Sequence, residues 1–325
     1  MLYPLKFKTI FKDKIWGGNK IHSILNKDYS PLPNCGETWE ISGVTGNVSL
    51  VEYGELKDKS LTDLILQYKG DLLGPDIYAN FGNEFPLLIK FIDANEDLSI
   101  QVHPDDVLGK ARHNSFGKTE MWYIFQADPG SSLIVGFNKD TNPEEYQASL
   151  KNGKLMEILN REVVSDGDCY FIPAGRVHTI GKGLLLAEIQ QTSDVTYRIY
   201  DFDRLDDKGQ KRDLHTEESV EALDYKFHPQ YKTNYSIHKN SANLLAKCQY
   251  FTTNLLVLDK TITKDYTGKK SFIILICFEG TGSITTSEEK YEMKKGDSYL
   301  IPFSIKNLSI NPTEVIKILE VYIEI

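Results

Sequence analysis

The chain has 325 residues, 41% of them hydrophobic and 26% charged, and a formal net charge of −9 at pH 7. This balance excludes a disordered chain, and basic residues interleaved with acids exclude a field that would draw nucleic acid or an anionic membrane. MLYPLKFK has no apolar signal core, no run approaches membrane-spanning length, and Cys35, Cys169, Cys248 and Cys277 lack CxxC spacing, so a cytoplasmic protein with buried thiols is expected.

Most segments read as short β-strands bounded by Gly, Asn, Asp and Pro, beginning with VSLVEY from Val48. Ser60, with Asp63 three residues on, opens a helix whose apolar side carries Leu61, Leu64, Ile65 and Tyr68. FPLLIKFI from Phe85, LSIQVH from Leu98 and EMWYIF from Glu120 return to strand. Asn142 and Pro143 start a second helix, with Tyr146, Leu150, Met156 and Leu159 as its buried side. The strands LLLAEIQQ from Leu184 and TYRIYDF from Thr196 precede a third helix at Thr216. A polar stretch from Lys226 to Asn243 marks a boundary near residue 235, after which FIILICF from Phe272 and VIKILEVYI from Val315 are strands.

One motif occurs twice. GDCYFIP from Gly167 and GDSYLIP from Gly296 differ only at Cys169/Ser298 and Phe171/Leu300. Gly-Asp begins a tight turn, an apolar strand follows, and Pro ends it because it cannot donate to the ladder. Such hairpin modules suit jelly rolls. The expectation is an all-β protein with a few short helices and two jelly-roll domains, 1–235 and 236–325.

Side-chain alternation places Leu98, Ile100 and Val102 on a core face and Ser99, Gln101 and His103 on the other. The same period groups Lys118, Glu120 and Trp122, then Glu188 and Gln190, then Thr196, Arg198 and Tyr200. A solvated sheet face also alternates, but it would be rich in Lys, Thr and Ser. Two His, a Glu and a Gln suit a divalent metal, and two His plus a carboxylate fit either zinc or a non-haem iron oxygenase. Lys118 and Arg198 point to an anionic, phosphorylated substrate. His22, His113, His215, His228 and His238 read as surface or loop residues, and no GxSxG turn or phosphate-binding glycine loop exists. After Lys239 there is no histidine, and Glu279, Glu288, Glu289 and Glu292 without imidazole make a poor zinc site.

With LSIQVHP, GKTEMWYI, AGRVHTIG and QQTSDVTYRIYDFDR in order, flanked by KIWGG and CGETWEIS, the chain resembles the type I mannose-6-phosphate isomerases in their short bacterial form. The resemblance covers most of the first 230 residues and implies a bicupin. It also implies one zinc per chain on Gln101, His103, Glu120 and His178, and a substrate pocket holding Ser99, Lys118, Arg198 and Trp16. The implied reaction interconverts D-mannose 6-phosphate and D-fructose 6-phosphate through a cis-enediol, with Lys118 or Glu188 as base and Arg198 as phosphate anchor or enediolate stabiliser. A cupin dioxygenase and a non-catalytic phosphosugar-binding bicupin are the alternatives. The oligomeric state has no signature in the sequence.

Overall fold

The computed structural model describes residues 2–205, 209–287 and 289–324; Glu288 lies outside them. Strands Leu87–Ala94, Leu184–Gln191 and Thr252–Leu258 are buried at every position. A strand covered on both faces must lie between two cores. Ile89, Phe91, Ala187 and Ile189 share one hydrophobic cluster with Leu255, Val257, Ile274 and Ile276. On the alternate face, Ile92, Trp122, Ile124 and Leu186 share another with Leu133, Val135 and Ile180. The far side repeats the pattern, with Leu256, Leu275 and Ile318 packed on Ile284, Met293 and Ile310.

The chain thus builds four antiparallel sheets in four layers. A five-stranded sheet runs Tyr197–Tyr200, Ile100–Val102, His178–Ile180, Ser132–Phe137, Leu159–Val163. It covers a six-stranded sheet ordered Ile10–Lys12, Glu37–Ile41, Leu87–Ala94, Leu184–Gln191, Glu120–Ala127, Cys169–Ile172. Back to back with that lies a second six-stranded sheet, built from strands between residues 242 and 322 plus Leu5–Lys6, and a four-stranded sheet closes the stack. The mostly β composition is as expected. Among the described residues no sheet closes on itself, so each expected barrel is a pair of open sheets whose edge strands, such as Ile10–Lys12 and Ala242–Lys247, end the ladder. No helix is long and apolar enough to cross a membrane.

The repeated motif has one backbone geometry. Gly167 and Gly296 adopt φ of 90° and 91°, a region open to glycine. Gly167 N donates to Ile124 O and Ile124 N to Asp168 O, while Gly296 N donates to Cys277 O and Cys277 N to Asp297 O. Ile124 therefore corresponds to Cys277, and Glu120, four residues earlier, to Ile273. His178 opens its strand where Asn307 opens the corresponding one.

Helix Leu61–Tyr68 starts on Ser60, whose hydroxyl accepts from Asp63 N at 3.0 Å, and Pro143–Lys151 starts on Asn142. Met156 is 45% exposed rather than buried, because Gly153, at φ 68°, ends that helix and Leu155–Ile158 begins a new turn out of phase. Helix Asp106–His113, capped by Asp105, was not foreseen. Cys248 is half-buried; the other three cysteines are buried, and all four are free.

Candidate active site

Two facing rows of residues make the site. In the five-stranded sheet, Gln101 pairs with His178 on one side and Arg198 on the other. In the six-stranded sheet, Trp39 pairs with Lys90, Lys90 with Glu188, and Glu188 with Trp122. Between the rows opens a cavity of about 460 Å³ lined by Trp16, Ser99, Gln101, Lys118, Glu188 and Arg198, together with Lys12, Lys14, Glu37, Trp39, Lys90 and Arg212. Its size suits a small ligand.

At the inner end His103, Glu120 and His178 converge, with one ligand atom from each lying within 4.8 Å of the others. His103 Nδ1 lies 2.9 Å from Val195 O and His178 Nδ1 2.8 Å from Arg176 O. A carbonyl only accepts, so both Nδ1 atoms carry the proton and both Nε2 lone pairs face the centre. Burial, with Lys118 and His178 nearby, holds His103 well below the usual imidazole range; burial brings His178 down to about 4. Burial, reinforced by Glu188, raises the Glu120 carboxyl despite Lys118 and Lys90. Both Glu120 oxygens are fully buried without a hydrogen bond. Lys118 Nζ is 3.2 Å from Oε2, an ion-pair distance. A buried carboxylate left this way, facing two imidazole lone pairs, fits a divalent cation. Gln101 Nε2 sits 3.2 Å from His178 Nε2, and a half-turn of the amide exchanges it for oxygen.

Lys90 Nζ donates to Glu188 Oε1 at 3.0 Å and Trp122 Nε1 to Oε2 at 3.0 Å. Burial would raise Glu188, but Lys90 and Lys118 outweigh it and keep its carboxyl below the usual range. Glu37 accepts from Trp39 Nε1 at 2.8 Å; burial opposes its charge, yet Lys90 and Lys14 bring it to about 2. At the mouth Arg198 donates to Asp213 O, and its Nε is buried without a partner. Arg212 is gripped by Asp201 through Nε and Nη2.

The structure brings every site residue read from the sequence to this cavity or its inner end. Trp16 and Ser99 are 4% exposed in its wall. The adjoining WGG is a close-packing device: a Cβ on Gly17 would lie 2.6 Å from Gly36 N. Gln190 and Tyr200 alternate as expected but lie outside the lining. Sequence reasoning missed Lys90, Glu37, Trp39 and Arg212. For Lys90 the signal was an ammonium inside the apolar run FPLLIKFI. Of the other five histidines, His22, His113 and His238 are exposed and His215 and His228 half-buried.

Comparison with known proteins agrees with this geometry. Residues 4–129 match the family described as Phosphomannose isomerase type I, catalytic domain, and residues 240–320 match Mannose-6-phosphate isomerase, cupin domain. The chain is 36% identical to mannose-6-phosphate isomerase ManA of Bacillus subtilis over 93% of its length and 94% of the relative. It is 34% identical to mannose-6-phosphate isomerase of Streptococcus mutans over 94% and 95%. The crystal structure of mannose 6-phosphate isomerase from Bacillus subtilis superposes with a TM-score of 0.88 at 29% identity, covering 98% of this chain and 99% of that one. With both halves matched and relatives aligned almost end to end, the chain belongs to the type I mannose-6-phosphate isomerase family.

Proposed function

We propose that the protein is a zinc-dependent aldose–ketose isomerase that interconverts D-mannose 6-phosphate and D-fructose 6-phosphate in the cytoplasm. The observation that carries this reading is the pairing of the buried His103–Glu120–His178 cluster with an adjoining cation-lined cavity. The donor set suits zinc held by His103, Glu120 and His178 with Gln101 as fourth ligand. When bound, the metal supplies Lewis-acid stabilisation of sugar oxygens.

The chain's own residues carry the rest. Isomerisation removes a proton from C2 of the aldose, passes through a cis-enediol and returns a proton to C1. Glu188 is poorly suited to accept it, because both oxygens already receive hydrogen bonds and its proton affinity is reduced. Lys118 takes that role, while Glu188 holds the Lys90 ammonium against the cavity as a fixed positive charge. Arg198, with two donors engaged or waiting at the mouth, anchors the phosphate, and its guanidinium fork matches phosphate oxygens. Ser99 and Trp16 shape the wall against which the sugar lies.

In this reading residues 1–235 form the metal-binding cupin domain and 236–325 a second cupin without ligands. Ile273 and Asn307 stand where Glu120 and His178 stand in the first, and among the described residues a single cluster could hold a metal. A coupled assay for fructose 6-phosphate formed from mannose 6-phosphate tests the reading; binding without conversion would refute it, as would oxygen consumption with ferrous iron in place of conversion.

A further inference from the structure

We infer that Tyr250, from the second half of the chain, is a positioning residue for Lys118, acting through the carboxylate of Asp106. Its kinetic consequence rests on the isomerase reading above; its structural consequence does not.

Tyr250 lies in the turn between strands Ala242–Lys247 and Thr252–Leu258. Its hydroxyl donates to Asp106 Oδ2 at 2.6 Å, across 144 residues of sequence. The other oxygen, Oδ1, accepts from Gly117 N at 2.8 Å and from Gln191 Nε2 at 2.9 Å. Gln191 Oε1 in turn accepts from Thr119 N at 2.9 Å. The amides on either side of Lys118 are therefore tied to one carboxylate, directly or through one side chain. The amide of Lys118 itself donates to Pro104 O at 3.0 Å. With its own and both neighbouring amides fixed, the backbone that presents Lys118 and leads into Glu120 has little freedom.

Packing enforces the same placement. Asp106 is the first residue of helix Asp106–His113, and Asp105 caps it by accepting from Leu108 N. Segment 116–119 is pressed on that helix start: a Cβ on Gly117 would lie 2.6 Å from Asp105 C and Asp106 N. The Tyr250 turn is equally seated. Phe251 is fully buried, its ring edge-on to Phe171 at 6.4 Å, and Phe171 pairs with Met121 next to Glu120. Burial would raise the Asp106 carboxyl, but its Tyr250, Gly117 and Gln191 donors keep it below the usual range. A charged acceptor with three donors makes strong, directional bonds. The second half thus reaches the segment that carries Lys118 by a hydroxyl as well as by packing.

Tyr250→Phe removes that hydroxyl and keeps the ring. Tyr235→Phe is the control, since Tyr235 donates its hydroxyl to Gly167 O, away from this network. Hydrogen–deuterium exchange on zinc-loaded protein should quicken in the peptide covering residues 115–120 in Tyr250→Phe and stay at the wild-type rate in Tyr235→Phe. In the mannose 6-phosphate assay, Tyr250→Phe should lower kcat roughly tenfold with KM changed less than about twofold, the pattern of lost alignment rather than lost binding. In a Lys118→Ala background the same substitution should change the residual rate less than about twofold, because the group it positions is gone. Unchanged exchange in Tyr250→Phe, equal quickening in Tyr235→Phe, or fully additive kinetic losses would overturn the inference. Should wild-type protein fail to convert the sugar, the isomerase reading falls and the exchange comparison still decides the relay.

Discussion

Lys90 and Glu188 stand directly opposite each other on neighbouring strands, Nζ 3.0 Å from Oε1, with side chains 7% and 4% exposed. An ion pair this deep loses much of its solvation, and removing one partner strands the other. Lys90→Met should destabilise the fold by about 3–5 kcal/mol in denaturant unfolding. Lys90→Met/Glu188→Met should recover most of that stability while remaining inactive. A single variant as stable as wild type would show that the pair is solvated.

That pair also marks where the sequence stopped being legible. The period-two reading of LSIQVHP and GKTEMWYI put Gln101, His103, Glu120 and Lys118 on the correct faces, because alternation is a local property of a strand. The partner of Lys90 is set by the ladder order, which places Leu184–Gln191 beside Leu87–Ala94 across 98 residues of chain, and no local pattern encodes that register. The same holds for Leu5–Lys6, which leaves its own half to pair with Tyr299 and Leu300. Helix Asp106–His113 was missed because its apolar face is sparse: Gly109 is its one buried residue, and Val107 is 74% exposed. The repeat was legible because Gly-Asp followed by a strand and Pro is turn chemistry written in neighbouring residues.

Metal affinity should fall with acidity before the histidines titrate. Binding needs an ionised Glu120 and neutral imidazoles; burial lifts the Glu120 carboxyl, whereas His178 stays neutral down to about 4. Zinc affinity, measured by chelator competition, should weaken at each step from pH 8 to pH 5, with a smaller slope in Glu120→Gln. A flat profile over that range would sink this assignment.

Glu37 links acid stability to the cavity wall. Its folded-state carboxyl sits at about 2, below the ordinary glutamate value, and its side chain is 14% exposed. Its stabilisation is therefore complete above pH 4.5 and lost as pH falls towards 2. Glu37→Gln should lower stability by about 2 kcal/mol at pH 7, and the gap from wild type should close near pH 2. An equal gap at pH 7 and pH 2.5 would contradict this.

Arg198→Lys keeps the charge at the cavity mouth and loses the planar fork. Turnover should fall by roughly 10²-fold, the scale of one lost preorganised donor. Wild-type turnover in this variant would remove Arg198 from the phosphate-binding role.

The central claim, that one armed cupin carries the chemistry and its repeat carries none, is tested most directly by stoichiometric reconstitution. Protein stripped by a strong chelator should have no mannose-6-phosphate isomerase activity. Activity should return in proportion to added zinc and reach its plateau at one equivalent per chain, and His178→Ala should recover little. A plateau at two equivalents, with the second lost on substituting residues beyond 240, or full activity in the stripped protein, would contradict the account.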